Sequence, residues 1–173
     1  MDTISMGATI ACAMELFEKG ILTEREIGRK LPFGDHEGMV EMCRKTAWKE
    51  GFGEVLSRGS YRLGEMYGHP ELAMVAKKQE FAGYDPRGAQ GMGLAYATSS
   101  IGASHMRGCS AYFEILGVPQ NVDPYAWEGK HSAVKDWQDV FAGIDSAGLC
   151  VFFSVRNYVT PTMDIRPQGI LDL

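Results

Sequence analysis

The stretch "DTISMGATIACAMELFEKG", residues 2–20, sets Ile4, Ala8, Ala11, Met14 and Phe17 three and four positions apart. That spacing draws one face of a helix, and Gly20 is a natural stop for it. Asp2 or Thr3 carries the side-chain oxygen that caps such a helix at its start. "TERE", residues 23–26, has the form of a capping box and predicts a short second helix. Asp35 is placed to cap a third, with Met39, Val40, Cys43, Ala47 and Trp48 facing inward and Gly51 ending it. Val55, Leu56, Leu63 and Met66 predict a fourth helix ending near Gly68, against the low propensity of Gly59 and Gly64. Pro70 opens a further short helix after the break at "GHPEL". Residues 77–87 read as extended chain or loop with at most a short strand, because Asp85-Pro86 disfavours helix. A helix is expected over 89–99, a loop over 117–130, and a last helix over 131–141 with Val134, Trp137, Gln138 and Phe141 on one face. Period-two alternation is nearly absent, so the expected fold is all-α and multihelical.

The chain of 173 residues is 45% hydrophobic and 23% charged, with a net charge of −5. That length suits one domain, or two small ones sharing a core. The acidic balance argues against nucleic acid, which would select a face rich in lysine and arginine. No apolar run approaches the ~20 residues of a membrane span, and the first residues lack the basic start of a signal peptide. A cytoplasmic location is the expectation. Cys12, Cys43, Cys109 and Cys150 are dispersed, which is the usage of reduced thiols; Cys12 and Cys43 lie on apolar helical faces. Helical structure is expected over residues 1–161 and a poorly structured tail over 162–173. Together these features predict a piece of a larger protein.

Three stretches carry candidate chemistry. "YDPRG", residues 84–88, joins a rigid turn and an arginine to a helix start, a place that favours anions. An ion pair between Asp85 and Arg87 that fixes the turn is the better account of those two residues alone. In "GMGLAYATSSIGASHMRGCS", residues 91–110, the small residues admit a close approach by backbone or ligand, and His105 and Arg107 follow them. Histidine is the side chain best placed to exchange a proton near neutral pH. Taken alone, catalysis and structure are evenly balanced for His105. "DSAGLC", residues 145–150, sets a carboxylate before a tight turn and a thiol. The carboxylate can accept from a ligand's N–H groups and the thiol can give one thiolate to a metal or iron–sulfur cluster. In isolation a helix-ending turn with a buried cysteine is the simpler reading.

In this order and at these distances, "DTISMGATIACAMELFEKG", "YDPRGAQGMGLAYATSSIGASHMRG" and "DSAGLC" resemble the tungsten-containing aldehyde:ferredoxin oxidoreductase family over residues 1–161. The resemblance implies a fold in which an N-terminal β-rich domain and two helical domains enclose the metal. This chain corresponds to the helical part without the β-rich domain. The metal is tungsten (or molybdenum) held by two pterins, beside a 4Fe–4S cluster. Met1-Asp2 is similar to the end of the family's D-x-x-G-L-D motif, with Met where Leu is usual, which makes Asp2 a pterin-contacting carboxylate. Asp145, Gly148, Leu149 and Cys150 match D-x-x-G-L-C, implying a second pterin contact and, at Cys150, the fourth cluster ligand. His105 falls at the family's active-site histidine, and Arg107 belongs to the same signature on the cofactor side.

The implied activity oxidises an aldehyde and water to a carboxylic acid, with electrons leaving through the cluster to ferredoxin. The implied partners are the missing N-terminal domain, ferredoxin and the aldehyde, with room for a homo-oligomer. A related tungsten subunit acting on aromatic acyl-CoA thioesters is the alternative within enzymes. A helical interaction domain without activity is the alternative outside them. The family's three clustered upstream cysteines and its upstream glutamate motif do not occur here, and the tail after Pro161 departs from the pattern. The isolated polypeptide is therefore expected to purify without tungsten and without a cluster.

Overall fold

The computed structural model describes residues 1–118 and 121–154. It is mostly helical, as the periodicity predicts, and it divides into two compact units, Met1–Gly83 and Tyr84–Leu173. The residues expected as a tail, 162–173, lie outside the described residues.

The first unit is built on α1 (Thr3–Glu18), followed by α2 (Glu24–Ile27), α3 (His36–Trp48), α4 (Phe52–Leu56) and α5 (Ser60–Met66). A 3-10 turn, Pro70–Leu72, and a two-stranded hairpin, β1 (Val75–Ala76) and β2 (Gln79–Glu80), complete it. Local chemistry sets several ends. Asp2 caps α1 by accepting the Ser5 N–H at 2.7 Å, and Thr23 and Glu26 form the reciprocal capping box. Asp35 accepts the Gly38 N–H at 2.9 Å, while Arg29 bridges Asp35 and Glu41, each at 2.7 Å. The core gathers Met6, Ile10, Leu16, Leu22, Met42 and Leu63 around α1.

Three expectations change here. Ile4 is 41% exposed, and α1 instead buries Met6, Thr9, Ile10, Cys12, Ala13, Met14 and Leu16. The helix is wrapped by several neighbours, so one stripe under-describes it. On α3 the inward face is Gly38, Met42 and Thr46, whereas Met39, Val40, Ala47 and Trp48 are exposed and Cys43 is half-buried. Small residues decide it: a Cβ on Gly53 would come within 2.2 Å of the Lys45 carbonyl carbon, so only glycine lets α4 press onto that side of α3. The predicted fourth helix is two, α4 and α5, because Gly59 sits at φ +86°, outside the helical region. Gly59 has no side chain with which to cap α5. Glu80 on β2 does so, its Oε1 accepting the Ser60 N–H at 2.8 Å and the Ser60 hydroxyl at 2.9 Å.

The second unit contains α6 (Gln90–Thr98), α7 (Ala111–Glu114) and α8 (Lys130–Ser146), and the chain is helical again over residues 151–154. The predicted apolar face of α8 holds: Val134, Trp137 and Phe141 are buried, joined by Val140 and Ile144 on a longer helix than expected. Trp137 is the centre of an aromatic group, stacked on Tyr112 at 5.5 Å and Phe113 at 6.3 Å and edge-on to Phe141 at 5.8 Å. α7 is absent from the sequence reading. Its last residue, Glu114, is fully buried and caps α6 at a distance, taking the Gly91 N–H at 2.9 Å where Ala89 has no cap to offer. A Cβ on Gly91 would meet that carboxylate at 2.8 Å, so this small residue serves a close intrachain approach.

Candidate functional site

The sequence-derived site residues fall in both units, Asp2 in the first and His105, Arg107, Asp145, Gly148, Leu149 and Cys150 in the second.

Asp2 stands at the head of α1 on the wall of a cavity of about 350 Å³, which Ser5, Thr9, Thr46 and Lys49 also line. The Ser5 backbone N–H holds the Asp2 carboxyl below the usual carboxylate range, so it is an anion at neutral pH with acceptor capacity left over. Thr46 Oγ1 is buried and has no hydrogen-bond partner among the described residues. Buried polar atoms are rarely orphaned, and one facing such a cavity matches a site that accepts a polar ligand. With Ser57, the lining offers a carboxylate, four hydroxyls and an ammonium, which suit a heterocycle with both donor and acceptor edges, so these residues fit a pterin.

In the second unit, residues 99–107 form consecutive tight turns: Ser104 N–H donates to the Gly102 carbonyl at 2.7 Å, and Met106 N–H to Ser104 Oγ at 3.2 Å. His105 emerges from them half-buried. Among the described residues neither of its ring nitrogens has a hydrogen-bond partner, and its one ring contact is Tyr84, centroid to centroid 5.5 Å at a tilt of 36°. Burial pushes the His105 pKa below the ordinary histidine value, so the ring is neutral at pH 7. A neutral imidazole with both nitrogens free can donate from one and accept at the other.

Two predicted residues meet directly. Arg107 donates to Asp145 in an ion pair that spans 38 positions of sequence. Asp145 lies in the last turn of α8, where a carboxylate opposes the helix dipole and a guanidinium offsets that cost. The rest of "DSAGLC" is a Schellman ending: Leu149 N–H donates to the Ile144 carbonyl and Gly148 N–H to the Asp145 carbonyl, both at 3.1 Å. Gly148 sits at φ +67°, which explains the glycine. Leu149 is 44% exposed and Cys150 is exposed, so the thiol expected as buried on the residues alone is presented outward. Gly108 follows Arg107 at φ +108°, and a Cβ there would meet Gln138 Cγ at 2.6 Å, which lays this loop against α8.

"YDPRG" turns out to be self-contained. Asp85 accepts the Arg87 N–H at 2.8 Å and the guanidinium at 2.6–3.0 Å, which lowers the Asp85 pKa to about 2. Nε and Nη2 of the arginine are engaged by its neighbour. Sequence reasoning missed Tyr84, Thr46 and the buried Glu114. Only Tyr84 carried a signal, its place at the edge of the turn motif.

The cysteines differ sharply in chemistry. Burial raises the Cys12 thiol to about 11, with Glu15 and Glu80 adding to the rise, and burial also raises Cys109. Among the described residues no three His, Cys, Asp or Glu side chains gather to hold a metal. Alkylation of the native chain at pH 7.5 should therefore modify Cys150 about tenfold faster or more than Cys12 or Cys109. Peptide mapping after a short iodoacetamide pulse reads this, and equal labelling of Cys12 and Cys150 would contradict the assignment. No described helix is long and apolar enough to cross a membrane.

The family model described as aldehyde ferredoxin oxidoreductase, domains 2 and 3, matches residues 1–168. The tungsten-containing aldehyde ferredoxin oxidoreductase of Pyrococcus furiosus is 49% identical over 155 residues, 88% of this chain and 26% of its own length. That of Thermococcus kodakarensis is 47% identical over the same shares. The WOR-like subunit of an aliphatic sulfonate oxidoreductase from Pyrococcus furiosus is 36% identical over 62 residues, 36% of this chain. The chain spans about a quarter of the length of the first two relatives.

Proposed function

The chain belongs to the aldehyde ferredoxin oxidoreductase family, and from that premise we propose that it is the helical, cofactor-facing part of an enzyme that oxidises aldehydes to carboxylic acids. The reaction is RCHO + H2O → RCOOH + 2H⁺ + 2e⁻, and ferredoxin takes the electrons. The observation that carries the reading is His105, a half-buried neutral imidazole with both nitrogens unpartnered among the described residues, which the resemblance assigns to the family's histidine.

When bound, the tungsten bis-pterin supplies the two-electron chemistry and the 4Fe–4S cluster passes the electrons on singly. The chain's own residues do the rest. Asp2 holds the N–H edge of one pterin with its free acceptor positions, while Thr46 Oγ1 and Ser5 line the same cavity. Arg107 and Asp145 face the other pterin as a pair, so the guanidinium meets an anionic group and the carboxylate stays fixed. One ring nitrogen of neutral His105 takes a proton from the water as it adds to the aldehyde carbonyl. Cys150 gives the cluster one thiolate.

The intact protein that carries this segment should contain tungsten and about four irons per chain and should reduce ferredoxin when given an aldehyde and water. Cys150→Ala in that protein should lose most of its iron and at least about 90% of its ferredoxin reduction, with tungsten retained. Intact protein without tungsten, or one that ignores aldehydes and reduces an acyl-CoA thioester, would overturn the reading.

A further inference from the structure

Nothing in the described structure hydrogen-bonds to His105, yet a proton-handling imidazole must hold one orientation to meet an oxygen. The torsion that turns a histidine ring is soft and roughly two-fold, so something must bias it. Among the described residues the one ring against it is Tyr84, 21 positions earlier, at 5.5 Å and 36°. Tyr84 is itself 39% exposed, so burial of its own surface is a weak account of why an aromatic stands there.

The chain around Tyr84 is held far more tightly than its exposure requires. The hydroxyl of Tyr96, a side chain buried on α6, donates to the Tyr84 carbonyl at 3.3 Å. The next residue, Asp85, is clamped by Arg87 through its backbone N–H and its guanidinium. The Asp85 carbonyl accepts from Gly88 at 3.0 Å and Ala89 at 3.2 Å, which ties the turn to the start of α6. The Asp85–Arg87 clamp joins residues two positions apart and closes the turn that follows Tyr84. Its effect is to fix the residue before it.

We propose that Tyr84 is a positioning residue for His105: its ring, set by the clamped turn and by Tyr96, fixes the imidazole in the orientation that meets substrate. The inference rests on the reading of His105 as the proton-handling group. Ring contact does the work, so the Tyr84 hydroxyl is dispensable.

The test has two readouts. In the 173-residue chain, the His105 ring protons should carry a ring-current shift that Tyr84→Phe keeps and Tyr84→Leu removes. In the full-length enzyme, Tyr84→Leu should lower kcat about tenfold with KM within about twofold, and Tyr84→Phe should restore kcat to within about twofold. Should Tyr84→Leu lower the thermal midpoint, Tyr84→Met, whose longer unbranched chain fills irregular space without a ring, is read in its place. Loss of the ring-current shift with kcat unchanged overturns the proposal while leaving His105 in its role, provided His105→Asn still loses turnover. A Phe variant as impaired as Leu also overturns it, since the hydroxyl would then be the active group. If His105→Asn keeps full turnover, the reading of His105 falls first and the positioning role falls with it.

Discussion

Replacing His105 by Asn is expected to lower turnover of the full-length enzyme by about 100-fold or more, the usual scale for a proton-transfer group, with tungsten and iron content near normal. Asparagine keeps a polar N–H near the ring position but cannot exchange a proton in the physiological range. Burial lowers the His105 pKa, so the working neutral form is populated above that value and lost as pH falls through it. The acid limb of kcat should therefore lie below the ordinary histidine value of 6.5, and His105→Asn should erase it. The sign for stability is the same. The unfolded ring binds its proton at a higher pH than the folded one, so acidification through that window destabilises the chain. A variant that loses its metal makes His105 structural, and so does one that keeps both full activity and the limb.

Sequence reached the elements wherever the deciding chemistry is local. The Thr23/Glu26 capping box, the Asp35 cap and the Asp85–Arg87 clamp each join residues two or three positions apart, and each is present. The core face of α8 was legible for a related reason, since bulky Val134, Trp137 and Phe141 leave no rival stripe. α3 had two stripes, and the choice between them depends on how closely Gly53 lets α4 approach, which periodicity does not encode. The hairpin was hidden because its turn residues are Lys77 and Lys78, at φ +51° and +68°, where Asn or Gly is the usual signal. In the site, Gly148 and the end of α8 were readable as a helix stop. The pairing of Arg107 with Asp145 and of Tyr84 with His105 was not, because each bridges a span that only the packed unit closes.

Lys130→Met is expected to destabilise the chain by about 3–5 kcal/mol, the cost of leaving a buried charge without its partner. Glu114 is fully buried, and its Oε1 accepts from Lys130 Nζ at 2.5 Å and from the Gly91 N–H at 2.9 Å. Its Oε2 accepts from the Ser110 hydroxyl at 2.6 Å, and Lys130 also donates to the Asp123 carbonyl at 2.6 Å. Four segments therefore meet on one ion pair: the first turn of α6, the end of α7, the loop at Asp123 and the first turn of α8. Methionine matches the lysine stem in length and apolar character, so the loss measures the charge and its hydrogen bonds rather than a cavity. Adding Glu114→Gln to Lys130→Met should recover a large part of the stability, because the amide carbonyl still accepts from Gly91 without a buried charge. Urea midpoints for the two single variants and the double variant give the coupling directly. A Lys130→Met loss under about 1 kcal/mol would mean that Glu114 is hydrated or neutral in the folded chain. The consequence reaches the site, since α6 leads into the turns that present His105 and α8 ends in the Schellman turn that presents Cys150. In Lys130→Met the ring-current shift of His105 should fade at lower urea than global unfolding requires, because the pair fixes the helices on which that contact depends.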